Sequence, residues 1–345
     1  MCSVEFDDAI KFVQGQFTDG LVLVVGSGLS AAEGIPGLPA LAAYLQASAS
    51  ELSGEDARSW ESIGTVLKAN RGLETALIKY PPSVALEAWI RTKTCSLLMP
   101  AEKHVIASAV SGERILRLTT FLSRVLKPPN GLPILTTNYE RLIEVGCELA
   151  GFHVDTTAVG DYAGAFDHVR SCMGSCRGVV SRGKTVVLEH FPRAIVLKPH
   201  GSLDWYRSKE AGLRSSIDLD LERLIITPGL NKYKAGYDIP FDKHRELANN
   251  HIDRAARFLI IGYGFNDDHL QKHLIKRISD GIPTLILTRT ASEKARQLAQ
   301  ESPQCMCFTK PAASSGVTVV TAGTQLESGG PDLWDLGVLT KEVLS

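Results

Sequence analysis

Short apolar runs alternate along this chain with longer amphipathic stretches. Runs rich in Val, Ile and Leu, bounded by turn residues, predict strands over 21–25, 133–137, 152–156, 194–198, 224–227, 258–262, 283–288 and 317–320. Most are almost continuously apolar. Strands covered on both faces read that way, so the pattern predicts a parallel sheet flanked by helices. Between the first two strands the period changes. "LPALAAYLQASASEL", "SWESIGTVLKAN", "LETALIKY" and "ILRLTTFLSRVL" repeat apolar positions three and four apart. That region is too long for one crossover helix and predicts a helical insertion at about 40–115. "GDYAGAFDHVRSCMGSCRGVVSRGKT" is glycine-rich and irregular, and predicts a loop or β-rich excursion over about 157–190 on a smaller domain. The expectation is one α/β domain over 15–330, a Rossmann-like parallel sheet with a helical insertion.

Composition narrows the function classes. The formal net charge of -1 gives no whole-molecule attraction to nucleic acid or to an anionic membrane. No apolar run is long enough to span a bilayer. "MCSVEFDDAIKF" carries acids where a signal peptide carries Lys or Arg, so a cytoplasmic protein is expected. The seven cysteines are an odd number in a chain that is not small, which argues against a disulfide framework. The close pairs, Cys172-x-x-x-Cys176 and Cys305-x-Cys307, lack the C-x-x-C spacing. They read as free thiols in preference to a zinc site, and no metal is expected.

The first strand runs into Gly26-Ser27-Gly28 within "LVLVVGSGLSAAEGIPGLP". Glycines let backbone N–H groups approach a phosphate, and a following helix points its positive end there. A hydride-transfer cofactor site asks for a third glycine where Ala31 stands. It also asks for a second strand about 20 residues on, ending in an acid, and that stretch reads as helix. The loop therefore suits a nucleotide better than it suits a dehydrogenase. Taken alone, it also suits a plain strand-to-helix turn.

Three more predicted strands end in polar or glycine residues: "PILTTNYERLIE" at Asn138, "IVLKPHGSLDW" at His200-Gly201 and "FLIIGYGFNDDHL" at Gly262-Tyr263-Gly264. Ligands bind beyond the carboxyl ends of parallel strands, so these tips and the glycine turn predict one site.

The set resembles the sirtuins, NAD-dependent enzymes of the deoxyhypusine-synthase-like NAD-binding fold. Gly26-Ser27-Gly28-Leu29-Ser30 matches their G-A-G-x-S loop, and Gly34-Ile35-Pro36 their G-I-P. Thr137-Asn138 stands where they have T-Q-N, His200-Gly201 matches their catalytic H-G, and Gly262-Tyr263-Gly264 stands at their G-T-S loop. Order and spacing agree from about residue 20 to 290. Two features depart. Gly37-Leu38 replaces the Phe-Arg pair that closes over nicotinamide, and the zinc ribbon is absent, the first cysteine after His200 being Cys305. "PHGSLDW" and "IGYGFNDDHL" look most similar to divergent bacterial sirtuin-like domains, which often degrade NAD in anti-phage defence.

The resemblance implies NAD+ as substrate, with Asn138 and His200 catalytic. It implies Gly26, Ser27, Gly28, Ser30, Thr137, Gly262, Tyr263 and Gly264 as cofactor contacts. Cleavage at the nicotinamide glycosidic bond passes through an oxocarbenium-like state, and nicotinamide leaves neutral. His200 can take a proton from water or a ribose hydroxyl. Asn138 can orient that water, and can equally cap the helix after it. The plainer reading of His200 is a buried histidine bonded to a carbonyl. Asn266, Asp267 and Asp268 can face adenosine hydroxyls, although Asp267-Asp268 reads more simply as a helix cap. Asp204 reads as a turn residue more readily than as an orienter of His200. His104, His190 and His251 have no comparable context.

Three functions follow as expectations: an NAD+ glycohydrolase, a protein deacylase or ADP-ribosyltransferase, or a non-catalytic NAD or ADP-ribose sensor. Unregulated NAD+ loss is lethal to a cell, so gating by a homo-oligomer or a partner is expected. The family suggests a motor ATPase or a nucleic-acid-sensing defence protein. Such a motor is a separate polypeptide, because the chain has no G-x-x-x-x-G-K-[ST].

Overall fold

The computed structural model describes residues 6–69, 71–125, 127–208, 211–229, 240–265, 268–312 and 315–344. The strands in chain order begin with β1 (Leu21–Val25), β2 (Leu132–Thr136), β3 (His153–Asp155), β4 (Ala158–Val159) and β5 (Ala163–Phe166). Next come β6 (Cys176–Arg182), β7 (Thr185–His190), β8 (Arg193–Leu197), β9 (Gly201–Ser208), β10 (Ala211–Ser215) and β11 (Arg223–Ile225). The last are β12 (Arg257–Ile261), β13 (Thr284–Thr288), β14 (Cys305–Thr309), β15 (Val317–Thr321) and β16 (Thr324–Ser328).

The main sheet has the order β16-β15-β14-β13-β12-β1-β2-β8-β3. From β14 to β3 all neighbours are parallel, and β15 and β16 add an antiparallel edge. β1, β2 and β8 are buried along their whole length, as continuous apolar runs require. β1 divides its side chains between two cores. Leu21, Leu23 and Val25 face one, and Val22 and Val24 face the other.

The helices start with α1 (Phe6–Gly15), α2 (Ser27–Ala32), α3 (Leu38–Ser48), α4 (Gly54–Lys68), α5 (Leu73–Lys79) and α6 (Val84–Val110). They continue with α7 (Arg117–Leu122), α8 (Leu142–Leu149), α9 (His168–Gly174), α10 (Phe241–Arg254), α11 (Asp268–Ser279), α12 (Glu293–Glu301) and α13 (Leu336–Val343). α1, α7, α8 and α13 cover one face of the sheet. α10, α11 and α12 cover the other. α3 to α6 form the insertion and close a separate core around Leu45, Ile63, Leu77 and Ile90.

Several expectations change. The shared core reaches past 15–330, because Ala9 and Val13 of α1 and Leu336 and Leu339 of α13 are buried in it. The predicted strand at 224–227 is β11, and it belongs to a second, antiparallel sheet of order β11-β9-β10-β5-β4. Its apolar run covers Trp205 and Phe241 and does not sit between parallel neighbours. The excursion is therefore larger than 157–190: β4, β5, β9, β10 and β11 make the second sheet, β6 and β7 a separate hairpin, and β8 returns to the main sheet. β14, "CMCFT", has no Val or Ile, so the pattern missed it. It is nonetheless fully buried against β13.

The chain builds outward from β1 through β2 and β8, then resumes on the other side of β1 with β12, β13 and β14. Strand order thus reverses at β1. The carboxyl ends of β1, β2, β8 and β12 share one edge there, the place where α/β sheets hold ligands.

Candidate active site

A cavity of about 200 Å³ opens at that edge. One wall comes from the strand ends: Gly26, Ser27, Ser30, Thr137, Asn138, Glu140, His200, Tyr263 and Gly264. The other comes from the loop Ile35–Leu38 and the insertion, through Leu41, Glu74, Thr94 and Leu98. Glu74 and Glu140 are the acidic lining residues, and no lysine or arginine lines it among the described residues.

Gly28 and Gly262 were expected to touch a ligand, and neither lines the cavity. They press against each other. A Cβ on Gly28 would lie 2.6 Å from Gly262 Cα, and one on Gly262 would lie 2.6 Å from Gly28 Cα. Gly262 also has φ +56°, which favours glycine. The amides are engaged too: Gly26 N donates to Ile261 O at 2.9 Å and Gly28 N to Gly262 O at 3.0 Å. The double glycine therefore lets the loops after β1 and β12 touch. Ser27, exposed at the start of α2, is the member of the loop left to meet an anion.

Asn138 follows β2 and is locked from behind. Its Nδ2 donates to Gly26 O at 3.0 Å and to Ser30 Oγ at 2.8 Å. Ser30 Oγ in turn donates to Glu140 Oε1 at 2.5 Å. Both amide protons of Asn138 are used, and Gly26 O can only accept, so the amide has one orientation. Oδ1 is the acceptor that remains on this cavity-lining residue. Ser30 is an internal link in this chain, not a free donor to pyrophosphate.

Lys198, just past β8, is fully buried beneath this network. Its Nζ donates to Glu140 O at 2.5 Å and to Glu144 Oε1 at 2.9 Å. Burial raises the Glu140 carboxyl above its ordinary range, while Lys198 and the Ser30 hydroxyl work against that rise. Two residues on, His200 lines the cavity, and its backbone carbonyl accepts from Ile226 N at 2.9 Å. A second histidine anchors this strand end: His244 Nδ1 accepts from Lys198 N at 3.0 Å, and Nε2 meets Thr157 Oγ1 at 2.8 Å. Burial and the nearby Lys198 hold His244 neutral, with its pKa lowered to about 3. Nε2 is then the protonated nitrogen, donating to Thr157.

Asp204 is not in a turn. It lies in β9, buried, with Oδ2 accepting from Arg214 Nε at 2.8 Å. Burial opposes its charge, but Arg214 and Lys198 outweigh burial and hold the carboxyl below its usual range. Asn266 and Asp267, and the side chain of Asp268, fall outside the described residues. His190 bonds Ser175 Oγ, away from the cavity.

Sequence reasoning missed Glu140 and Lys198, and the insertion's Glu74, Thr94 and Leu98. Glu140 had a signal, an acid two residues after Asn138 at a strand end. Lys198 had another, a lone cation closing an apolar strand.

Residues 133–304 match the family model described as the SIR2-like domain. Over those residues the chain carries a sirtuin-like domain, set in a mixed α/β architecture with a large parallel sheet. It is similar to a solved mutant of a Sir2 homologue in complex with ADP-ribose, at 13% identity over 99% of this chain and 95% of that chain, TM-score 0.45. It is also similar to a Sir2 homologue in complex with NAD, at 13% identity over 84% of this chain and 85% of that chain, TM-score 0.40. No curated protein matches it. Among the described residues, no helix is long and apolar enough to cross a membrane, and no group of three or more His, Cys, Asp and Glu could hold a metal ion.

Proposed function

We propose that this chain is an NAD+ glycohydrolase, releasing nicotinamide and ADP-ribose. The observation that carries the reading is the fixed Asn138 amide in the cavity that His200 also lines. Cleavage breaks the bond from ribose C1′ to the pyridinium nitrogen. The electron pair leaves with neutral nicotinamide, and water adds to the carbon. Asn138 Oδ1 accepts a hydrogen bond from that water or from a ribose hydroxyl. His200 accepts the proton that the water gives up. A cavity lined by Glu74 and Glu140, with no lysine or arginine among the described lining residues, suits the cationic nicotinamide end. Ser27, Thr137, Tyr263 and Gly264 remain as contacts for the rest of the nucleotide.

The reading extends to an NAD-depleting effector of bacterial anti-phage defence, cytoplasmic and gated by self-assembly or a partner. Light scattering tests the gating, and a strict monomer with full constitutive activity would sink it.

The central experiment incubates the chain with NAD+ and no peptide, and follows nicotinamide and ADP-ribose by chromatography. Free ADP-ribose in equal yield to nicotinamide is the expected result. Nicotinamide only with acyl-peptide would mean a deacylase, and labelled protein a transferase. Calorimetric NAD+ binding without turnover, in the chain alone and with its partner, would mean a sensor.

A further inference from the structure

Helix α6 belongs to two parts of the molecule at once. Its first half, with Leu86 and Ile90, is buried in the insertion's own core. Glu51, just after α3, accepts from Trp89 Nε1 at 3.2 Å and from Lys93 Nζ at 2.5 Å, which ties that half to the insertion again. The second half is fixed to the sheet side. Buried Glu102 accepts from Arg141 N at 2.7 Å, Nε at 2.9 Å and Nη2 at 2.6 Å, and Arg141 stands three residues after Asn138. Val105 and Ala109 are buried in a cluster with Leu142 of α8.

Pro100 lies inside the helix, between the two halves. Proline has no N–H for the Ser96 carbonyl and its ring crowds that carbonyl, so a helix bends most easily there. The turns ahead of it are loosened as well. Thr92, Thr94 and Ser96 each donate a side-chain hydrogen bond to the carbonyl four residues back, a contact that weakens and bends helices. The insertion's other covalent link to the sheet is the loop 34–37, which begins and ends in glycine. Gly34 has φ +97°. Both links are therefore places where the backbone yields.

Thr94 and Leu98, on the insertion's side of Pro100, line the cavity together with Leu41 and Glu74. Farther from Pro100, Arg91 Nη1 meets Glu222 Oε1 at 2.7 Å, next to β11 of the second sheet. Glu222 Oε2 accepts from Arg207 Nε of β9 at 2.9 Å. Arg91 stands nine residues before Pro100, about 13 Å along the helix axis. A bend of about 15° at Pro100 would move it about 3 Å, enough to part the pair. The pair is partly exposed, and such pairs contribute little, which suits a contact that must release.

We propose that the insertion is a hinged lid: it swings about Pro100 and the loop 34–37 to open the cavity, and the Arg91–Glu222 pair latches it shut. That the opened cavity admits NAD+ rests on the function proposed above; the movement itself does not.

The test reads the movement with spin labels and without nucleotide. Glu61→Cys in α4 and Glu293→Cys in α12, both exposed positions, carry the labels in a full chain that also has Cys2→Ser, Cys172→Ser and Cys176→Ser. Electron–electron resonance should give a main distance and a minor, displaced one. Arg91→Met removes the latch and keeps its apolar stem, and should raise the ratio of displaced to main population about two- to fivefold. Salt at about 1 M screens a partly exposed pair and should do the same with Arg91 intact, so this arm decides if the variant does not fold. Pro100→Ala, shown helical by circular dichroism, should restore the bond to Ser96 and shrink the displaced population, even beside Arg91→Met. A single distance that neither Arg91→Met nor salt changes overturns the lid. A displaced population that Pro100→Ala leaves intact overturns the hinge. If these variants move the populations and ADP-ribose does not, the lid stands and the NAD+ reading fails.

Discussion

The two walls of the cavity are built in opposite ways. On the sheet wall the central polar groups are held by one another. Asn138 is fixed by Gly26 and Ser30, Ser30 by Glu140, and Lys198 by Glu140, Glu144 and the backbone. The insertion wall is mainly apolar and belongs to helices with a core of their own. It joins the rest of the molecule through a smaller cluster that holds Leu98 and Cys95 of α6, Leu142 of α8, and Leu203 and Ile225 of the second sheet. Preorganised polar groups are what a reaction needs, because they do not reorganise as charge develops. An apolar wall on a separate module suits cover and selection. The difference predicts that damage to the sheet wall lowers kcat, while damage to the insertion wall raises KM.

The sharpest break of this contrast is at Asn138 and His200. Asn138→Ala and His200→Ala should each lose about 10²–10⁴ in kcat, read from nicotinamide release at saturating NAD+. Retained kcat in either would move the chemistry off the sheet wall. Lys198→Met comes next and is read as stability. Removing one partner from a buried ion pair costs about 3–5 kcal/mol, since Glu144 is left buried without its cation. Urea denaturation measures it, and a loss below about 1 kcal/mol would mean the pair contributes only as a surface pair does.

Gly28→Ala follows, at about 1–3 kcal/mol, because its Cβ would need the Gly262 backbone to move. A cradle glycine would instead lose NAD+ affinity at unchanged stability, so the melting temperature and a binding titration separate the two roles.

What the sequence made legible follows from how local each signal was. Strand ends, glycines and Asn138 sit where the chain changes period, and a one-dimensional pattern carries that. The packing roles of Gly28 and Ser30 were not legible, because both residue types suit a phosphate as well as they suit a neighbour, and the neighbours, Gly262 and Glu140, lie more than 100 positions away. Asp204 was hidden for a similar reason: its partner Arg214 comes from β10, and no pattern within β9 announces a buried carboxylate. The insertion read as helical at once. Which helical residues face the cleft depends on how a second core docks on the first, and that is not written in any periodicity.

His244 sharpens the sheet wall through pH. Its pKa in the folded chain, about 3, lies below the unfolded value of about 6.5. A depressed pKa contributes stability that is present above the unfolded value and is lost as pH falls toward the folded one. Unfolding free energy should therefore fall by about 1.4 kcal/mol per pH unit from this residue between about 6.5 and 3. His244→Gln should remove that slope in the difference between the two proteins, measured by urea denaturation across that window. Equal slopes would mean the imidazole can be charged in place.

The insertion wall should give the smallest effect. Glu74 comes from α5 of the insertion and lines the cavity that Asn138 also lines. Glu74→Gln keeps the shape and removes the charge. If this wall selects and does not react, the substitution weakens ground state and transition state alike, so KM for NAD+ rises severalfold and kcat stays the same. The effect should shrink in high salt, because a half-exposed carboxylate near a cationic ring is screened. A fall in kcat with KM unchanged would put Glu74 in contact with the reacting ribose, and the division between a fixed chemical wall and a selecting helical one would then be wrong.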